Sequence, residues 1–306
     1  MTETSTGRRP IPVYAVTGAS GHLGRLAVQQ LLARGVLPSG IVAVVRSRAT
    51  VADFVSRGLQ VREADYSEPQ TMRAALAGVT RLLLVSSSEA GQRVVHHTNV
   101  IDAAKAVRVS RILYTSMLNT DVATNPFSAD HRASELALRE SGVEFTLLRN
   151  GLYTEGYTDH LREYLTSGEI PGAAANGRIS ASTRQDFASA AAAALLRDEA
   201  GNPTYELGGP SFDLAQLAQT ISDVTGTRVT SRDLPVEQYV DVLQQDGLDQ
   251  ATARFVAAID ASIARGELET SRQDLAQLLG RPPTPLTEIV RAAYDVLKVS
   301  DSVQSS

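Results

Sequence analysis

A chain of 306 residues, 43% of them hydrophobic, has room for one large domain or two ordinary ones and the composition of a globular protein. Its formal net charge of −5 does not favour nucleic acid or an anionic membrane as a partner, and no run reaches the roughly 18 apolar residues of a membrane helix. The absence of cysteine excludes disulfides, a thiol nucleophile and a thiolate metal site. We identify no signal peptide, and we expect a cytoplasmic protein with disordered tails at residues 1–10 and 300–306.

The first predicted strand leads into a glycine-rich turn. Residues 13–17 are apolar or favour β structure, as in a strand buried on both faces, and a helical period follows the turn. Gly18 permits a sharp turn, Gly21 lets the backbone approach a pyrophosphate, and Gly24 lets the helix pack close to the strand. The N-terminus of that helix offers N–H groups to phosphates. The pattern therefore predicts a dinucleotide site; the alternative is a tight strand–helix turn without a ligand.

A second predicted strand, residues 41–45, ends at Arg46 and indicates which cofactor is preferred. Dinucleotide-binding units that take NAD usually carry an acid near this junction for the ribose 2′-hydroxyl, and none is present here. A guanidinium can bond the oxygens of a 2′-phosphate in a fork. We therefore predict NADPH in preference to NADH; the alternative is that Arg46 and Arg48 are solvated loop charges.

The strand–helix alternation continues, with further strands predicted at residues 58–62, 81–85, 111–116 and 143–149. Asp65 follows the third strand, where it either bonds the adenine amino group or caps the helix that starts at Glu68. Ser86, Ser87 and Ser88 follow the fourth strand, and ligands of open α/β sheets bind beyond strand carboxyl ends. Six alternating strands predict an α/β fold, a Rossmann-type doubly wound parallel sheet over residues 11–150.

The histidines do not have the spacing of a metal site. His96 and His97 are adjacent on a predicted helix, residues 89–107, and so point to different faces. His131, on a helix predicted over residues 130–141, and His160 have no ligand spacing with them. We predict no metal site.

Beyond residue 150 the alternation loosens. Residues 151–299 are predicted to form a smaller, mainly helical lobe that covers the strand carboxyl ends and supplies a substrate cleft, with residues 178–209 returning to the sheet. Residues 168–177 are predicted to be a loop, and strands are predicted at residues 204–209 and 228–234. Helices are predicted at residues 157–165, 184–196, 214–225, 236–243, 248–266, 275–279 and 286–297.

The motifs together resemble the NmrA-like branch of the atypical short-chain dehydrogenase/reductases, and within it the bacterial quinone and triphenylmethane dye reductases. The resemblance runs from about residue 11 to about residue 297. It rests on the glycine turn, Arg46, Ser86-Ser87-Ser88-Glu89 with Gly91-Gln92-Arg93, Tyr114-Thr115-Ser116, the run from Leu148 to Glu155, Gly172-Ala173-Ala174, and the run from Ile179 to Arg184.

The resemblance implies the cofactor, the substrate class and the cofactor contacts. It implies that NADPH passes hydride directly to a small quinone-like molecule without flavin or metal, in a monomer or a homodimer. The implied contacts are Gly18, Ala19, Ser20, Gly21, His22, Leu23, Arg46, Ser86, Ser87, Ser88, Asn150, Gly151, Leu152, Tyr153, Thr154 and Glu155.

The chain departs from ordinary short-chain reductases at their Tyr-x-x-x-Lys pair, because Phe127 and His131 stand in those places. Alcohol dehydrogenation is therefore not expected. Reduction of a quinone needs less help, because hydride addition gives a phenolate-like anion whose conjugate acid has a pKa of roughly 10. If a side-chain acid is used, the candidates are Tyr153 and His131; otherwise Tyr153 shapes the nicotinamide pocket and His131 bonds a loop carbonyl. Tyr114 is expected in the core, and Ser116 stands where relatives keep a catalytic hydroxyl.

Two other functions fit parts of this pattern. The first is a non-catalytic NADP(H) sensor that regulates a partner, which the loss of the Tyr–Lys pair favours. The second is an isomerase or epimerase of nucleotide sugars, which shares the sheet but normally needs the missing tyrosine. Binding of the cofactor without turnover of a quinone would favour the sensor.

Overall fold

The computed structural model describes residues 12–89 and 91–304. Their strands are β1 (Tyr14–Val16), β2 (Ile41–Val45), β3 (Gln60–Glu63), β4 (Arg81–Leu84), β5 (Arg111–Met117), β6 (Glu144–Asn150), β7 (Glu169–Gly172), β8 (Thr204–Leu207) and β9 (Thr230–Asp233). Seven of them form one sheet in the order β3-β2-β1-β4-β5-β6-β8, and every pairing in it is parallel. The predicted Rossmann-type parallel sheet is confirmed.

Helices cover both faces of this sheet. They are α1 (His22–Ala33), α2 (Ala52–Ser56), α3 (Pro69–Leu76), α4 (Arg93–Ala106), α5 (Ser128–Ser141), α6 (Glu155–Thr158), α7 (Leu161–Ser167), α8 (Arg184–Leu196), α9 (Leu214–Thr225), α10 (Val236–Gln245), α11 (Gln250–Ala264), α12 (Asp274–Leu279) and α13 (Leu286–Gln304). One apolar core lies between the sheet and α1, α8 and α12, and a second lies between the sheet and α3, α4 and α5. No described helix has the length and apolar character needed to cross a membrane.

The alanine-rich helix α8 packs on the seven-stranded sheet, although it follows residue 150 in the chain. Its alanines from Ala188 to Ala194 are buried, and the small side chains let it pack closely against α1. The strand that follows it, β8, pairs with β6 at the edge of the sheet. Residues 184–207 therefore lie with the seven-stranded sheet.

Most described elements after residue 150 are helices, but β7 and β9 form a separate two-stranded parallel sheet. The loop predicted over residues 168–177 is therefore wrong, because β7 lies within it. Pro171 and Gly172 are poor strand formers, and the partner strand, which pairs Thr230 with Glu169, supplies the hydrogen bonds. The strand predicted at residues 228–234 is confirmed by β9.

Two other predictions need correction. The helix predicted over residues 157–165 is two short helices, α6 and α7. The disordered tail predicted over residues 300–306 is wrong for its first five residues, because α13 continues to Gln304. The tail predicted at residues 1–10, and residues 305–306, lie outside the described residues.

Candidate cofactor-binding site

The glycine turn places α1 directly against the end of β1. Gly18 has φ +58°, a left-handed conformation that side chains disfavour. A Cβ atom at Gly24 would lie only 2.3 Å from the Gly18 carbonyl oxygen, so the helix packs on the turn without room for a side chain. A Cβ at Gly21 would meet nothing closer than 3.3 Å, and this residue faces a cavity. The three glycines therefore have the geometry that their spacing predicts.

The N-terminus of α1 is open. Its N-cap residue is Gly21, and no side chain caps it. The amides of the first helical turn have no partner inside a helix, and they carry the positive end of the helix dipole. This helix end can therefore bind an anionic group from the cavity.

The cavity has a volume of about 400 Å³ and lies at the carboxyl ends of β1, β2, β3 and β4. The predicted residues that line it are Gly18, Ser20, Gly21, His22, Leu23, Arg46, Asp65, Ser86, Ser87, Ser88 and Tyr153. The predicted contacts do not include these further lining residues: Gly24, Val44, Val45, Ala64, Tyr66, Val85, Glu89, His96 and Arg184. The predicted residues Ala19, His131, Asn150, Gly151, Leu152, Thr154 and Glu155 do not line it.

Two arginines follow β2, and only one of them faces the cavity. The side chain of Arg46 is 74% exposed, and its Nη1 lies 3.1 Å from Oε1 of Glu89. The guanidinium of Arg48 instead donates to the carbonyl of Val61. Arg46 is therefore placed to meet a group at the mouth of the cavity, and Arg48 is a loop charge.

Asp65 does not cap the next helix. Its Oδ1 accepts hydrogen bonds from the amide of Ser67 at 2.8 Å and from the Ser67 hydroxyl at 2.6 Å. These bonds hold the pKa of Asp65 below its ordinary value. The N-cap residue of α3 is Glu68, and no side chain caps this helix. Asp65 lines the cavity instead.

The serine run after β4 is hydrogen-bonded by two histidines of α4, of which His96 also lines the cavity. The amide of Ser87 donates to Nε2 of His97 at 2.9 Å, and the Ser87 hydroxyl lies 3.2 Å from Nδ1 of His96. On the far side of its ring, His97 contacts the hydroxyl of Ser134 at 2.8 Å. Burial lowers the pKa of His97 to about 3, so the ring is neutral and accepts the amide proton. Both histidines therefore position the serine loop.

The structure places His131 behind the cavity. Its Nδ1 lies 2.7 Å from the hydroxyl of Tyr114, which is buried in the core as predicted, rather than against a loop carbonyl. Burial, with the nearby Arg93 cation, lowers the pKa of His131 to about 3. No group of His, Asp and Glu residues in the described part of the chain could hold a metal ion.

Ser116 faces a buried ion-pair network and not the cavity. Its hydroxyl donates to Oε1 of Glu135 at 2.6 Å. The same carboxylate lies 2.7 Å from Nη2 of Arg149, which also pairs with Asp121 and Glu206. The network fixes Arg149 at the end of β6, directly before the segment of residues 150–155.

That segment, residues 150–155, packs against the chain that enters α8. A Cβ at Gly151 would lie 2.3 Å from the carbonyl oxygen of Ser180, so the two backbones are in direct contact. Tyr153 forms a parallel bridge with Ser182 and lines the cavity, and burial raises the pKa of its hydroxyl. Oε1 of Glu155 accepts a hydrogen bond from the amide of Arg184 at 2.9 Å, which ties this segment to the start of α8.

Comparison with known protein families identifies the family to which this chain belongs. A family model described as NAD(P)H-binding matches residues 18–198. Quinone oxidoreductase 2 of Escherichia coli is 39% identical over 93% of this chain and 99% of its own. The chain belongs to the NAD(P)H-binding, NmrA-like family. An NmrA-like family domain-containing oxidoreductase of Aspergillus flavus is 31% identical over 91% of this chain and 94% of its own.

Solved structures of family members share the whole fold. The NADPH complex of the NADPH-dependent quinone oxidoreductase from Escherichia coli has a TM-score of 0.90 and 38% identity, over 92% of this chain and 100% of that one. The Citrobacter sp. triphenylmethane reductase complexed with NADP(H) has a TM-score of 0.88 and 35% identity, over 92% and 99% of the two chains.

The residues of this family member fit NAD(P)H. The open α1 end and the side-chain-free surface of Gly21 suit a pyrophosphate. Asn150, which is 7% exposed, has a side-chain oxygen with no hydrogen-bond partner among the described residues. An acceptor left unpaired when buried is costly, and a bound ligand that donates to it removes that cost.

Proposed function

We propose that this protein is an NADPH-dependent reductase that passes hydride directly to quinones or related electron-poor aromatic compounds. The observation that carries the proposal is the open N-terminus of α1, grouped with Arg46 and the serine run around one cavity. The identity with Quinone oxidoreductase 2 extends over 93% of this chain, so it includes the substrate lobe and not the cofactor half alone.

Each part of the cofactor has a matching group in this proposal. The guanidinium of Arg46 bonds the 2′-phosphate, and the amides of the first α1 turn bond the pyrophosphate. The carboxylate of Asp65 accepts from the adenine amino group at the cavity wall. We place the nicotinamide beyond the lined volume, past Tyr153, where the unpaired oxygen of Asn150 can accept from the carboxamide and orient the ring. NADH lacks the 2′-phosphate and is the weaker alternative.

In this reaction the residues of the chain bind and orient the cofactor and the substrate. When bound, NADPH supplies the hydride, and the proposal requires neither flavin nor metal. The chain holds the nicotinamide and the substrate together in a water-poor cleft, which can supply most of the rate. The product anion resembles tyrosinate, with a conjugate acid pKa of roughly 10, so a weak acid or water can protonate it.

Of the two candidate proton donors, we assign the role to Tyr153. Its side chain lines the cavity, so its hydroxyl can reach a bound substrate, and this position carries the assignment. Burial raises the pKa of the hydroxyl, which keeps it protonated but makes it a weaker acid. His131 lies outside the cavity lining, and its pKa of about 3 leaves the ring neutral at the same pH. His131 is therefore assigned to holding the Tyr114 hydroxyl.

The test is an absorbance assay of reduced nicotinamide oxidation. Purified protein, without added flavin or metal, receives NADPH or NADH and then a small benzoquinone or naphthoquinone. We expect oxidation well above the uncatalysed rate, and faster with NADPH. Tight binding of NADPH in a fluorescence titration, with no oxidation by any quinone, would contradict the proposal and favour the sensor.

A further inference from the structure

We propose that Arg184 binds the cofactor, with its guanidinium on the phosphate of the nicotinamide half. The inference rests on the proposed function for the identity of the ligand, and it adds a contact to the predicted set. Arg184 is the first residue of α8, and it is half-buried.

Two arginines line the cavity, and their surroundings differ. Arg46 is paired with Glu89, and Asp65 adds a second carboxylate to that end of the cavity. The guanidinium carbon of Arg184 lies 5.1 Å from the centre of the Tyr153 ring. In the described part of the chain its guanidinium forms no ion pair, and the Glu155 carboxylate bonds its backbone amide instead. Arg184 is therefore a cation that stacks on Tyr153 and lines the cavity, with no ion pair at its guanidinium among the described residues.

The backbone amide of Arg184 is already bonded, so the side chain of this residue is the group that can meet a ligand in the cavity. Glu155 accepts from the Arg184 amide at 2.9 Å, and the Thr183 hydroxyl accepts from the Asp186 amide at 3.0 Å. These caps satisfy amides at the start of α8 and fix the position of its first residue. The Tyr153 ring then holds the guanidinium from one side, and an arginine stacked in this way loses little freedom on binding.

The packing of α8 on α1 brings this cation to the phosphate site. The guanidinium of Arg34, at the end of α1, lies 3.1 Å from the hydroxyl of Ser189 on α8. Both helices begin at the cavity, because Gly21, the N-cap of α1, and Arg184, the first residue of α8, both line it. A pyrophosphate seated on the amides of α1 therefore faces Arg184, and a guanidinium can bond two phosphate oxygens at once.

The test compares two ligands that differ in the nicotinamide half. Adenosine 2′,5′-bisphosphate carries the phosphates of the adenosine half, whereas NADPH adds the second phosphate and the nicotinamide riboside. We expect Arg184→Met to weaken NADPH about 10- to 100-fold, as for loss of a charge-assisted contact, and the bisphosphate less than threefold. Arg46→Met should weaken both ligands. Arg197→Met, at the other end of α8, is the matched control and should change neither Kd.

A second measurement separates charge from packing. Arg184→Lys keeps the positive charge, so it should bind NADPH more tightly than Arg184→Met does. The Kd for NADPH should depend on salt in Arg184→Lys as in the unmodified protein, and less strongly in Arg184→Met. Thermal unfolding of each variant reports whether the fold is intact. Equal loss for both ligands, or no loss for either, would overturn the proposal and leave Arg184 as a packing partner of Tyr153. Failure of the unmodified protein to bind NADPH would overturn the proposed function as well.

Discussion

The helices α1 and α8 begin side by side at the same cavity, yet their first amides are satisfied in opposite ways. Gly21 leaves the start of α1 without a capping side chain, whereas Thr183 and Glu155 bond the first amides of α8. An uncapped N-terminus keeps donors and a partial positive charge for an anion. A capped one typically gains about 1 kcal/mol of stability. The comparison indicates that α1 is kept open for a ligand while α8 holds the site in shape.

Adding a side chain at Gly24, where α1 packs on the glycine turn, should have the largest effect. In Gly24→Ala the new Cβ would start 2.3 Å from the Gly18 carbonyl oxygen, so α1 must move away from the turn. We expect the free energy of unfolding to fall by about 1–3 kcal/mol, as for an overpacked core. NADPH should bind at least tenfold more weakly, because the amides of α1 move with the helix. Chemical denaturation and a binding titration measure the two effects.

The matched control is Gly156→Ala, where the added Cβ meets nothing within 4 Å. This variant should keep both the stability and the NADPH affinity of the unmodified protein. If Gly24→Ala bound NADPH as tightly as the control does, the open end of α1 would not be the phosphate site.

The second prediction concerns the cation beside the α1 end. Arg46→Ala should weaken NADPH by about 1–3 kcal/mol and leave NADH nearly unchanged, because only NADPH carries the 2′-phosphate. Calorimetric titration with each cofactor measures the difference. Arg48→Ala is the matched control, because that guanidinium is held by the Val61 carbonyl away from the cavity. Equal losses for both cofactors would sink the 2′-phosphate assignment.

The third prediction removes the cap from α8. Thr183→Ala loses the hydroxyl that accepts from the Asp186 amide, and the free energy of unfolding should fall by about 1 kcal/mol. Thr183→Ser keeps a hydroxyl and should retain most of that stability. A denaturation midpoint unchanged in Thr183→Ala would show that Glu155 alone satisfies this helix end.

The smallest expected effect comes from Glu89, which competes for Arg46. Glu89→Gln removes an exposed ion pair worth about 0.2–1 kcal/mol, so Arg46 no longer has to leave a carboxylate when the 2′-phosphate arrives. NADPH should therefore bind up to about fivefold more tightly, with NADH unchanged. Weaker binding of NADPH in this variant would mean that Glu89 holds Arg46 in position for the phosphate.

Much of the fold follows from local patterns. The predicted bounds of α8 agree with the structure, because an alanine-rich apolar run between a threonine cap and polar residues is a complete helix signal on its own. β7 was not predictable in this way. Its Pro171 and Gly172 disfavour a strand, and the pairing with β9 comes from a segment about sixty residues further along the chain.

The sequence by itself determined the parallel sheet, the glycine turn and the cation at Arg46, because residues within a few positions of one another set the strand period, the turn and the charge at the strand end. Only the tertiary structure decided that the two adjacent histidines hold the Ser87 loop and that Arg149 gathers three carboxylates. It also placed Arg184 against Tyr153. Those contacts join residues far apart in the chain, and their geometry depends on how helices pack on the sheet.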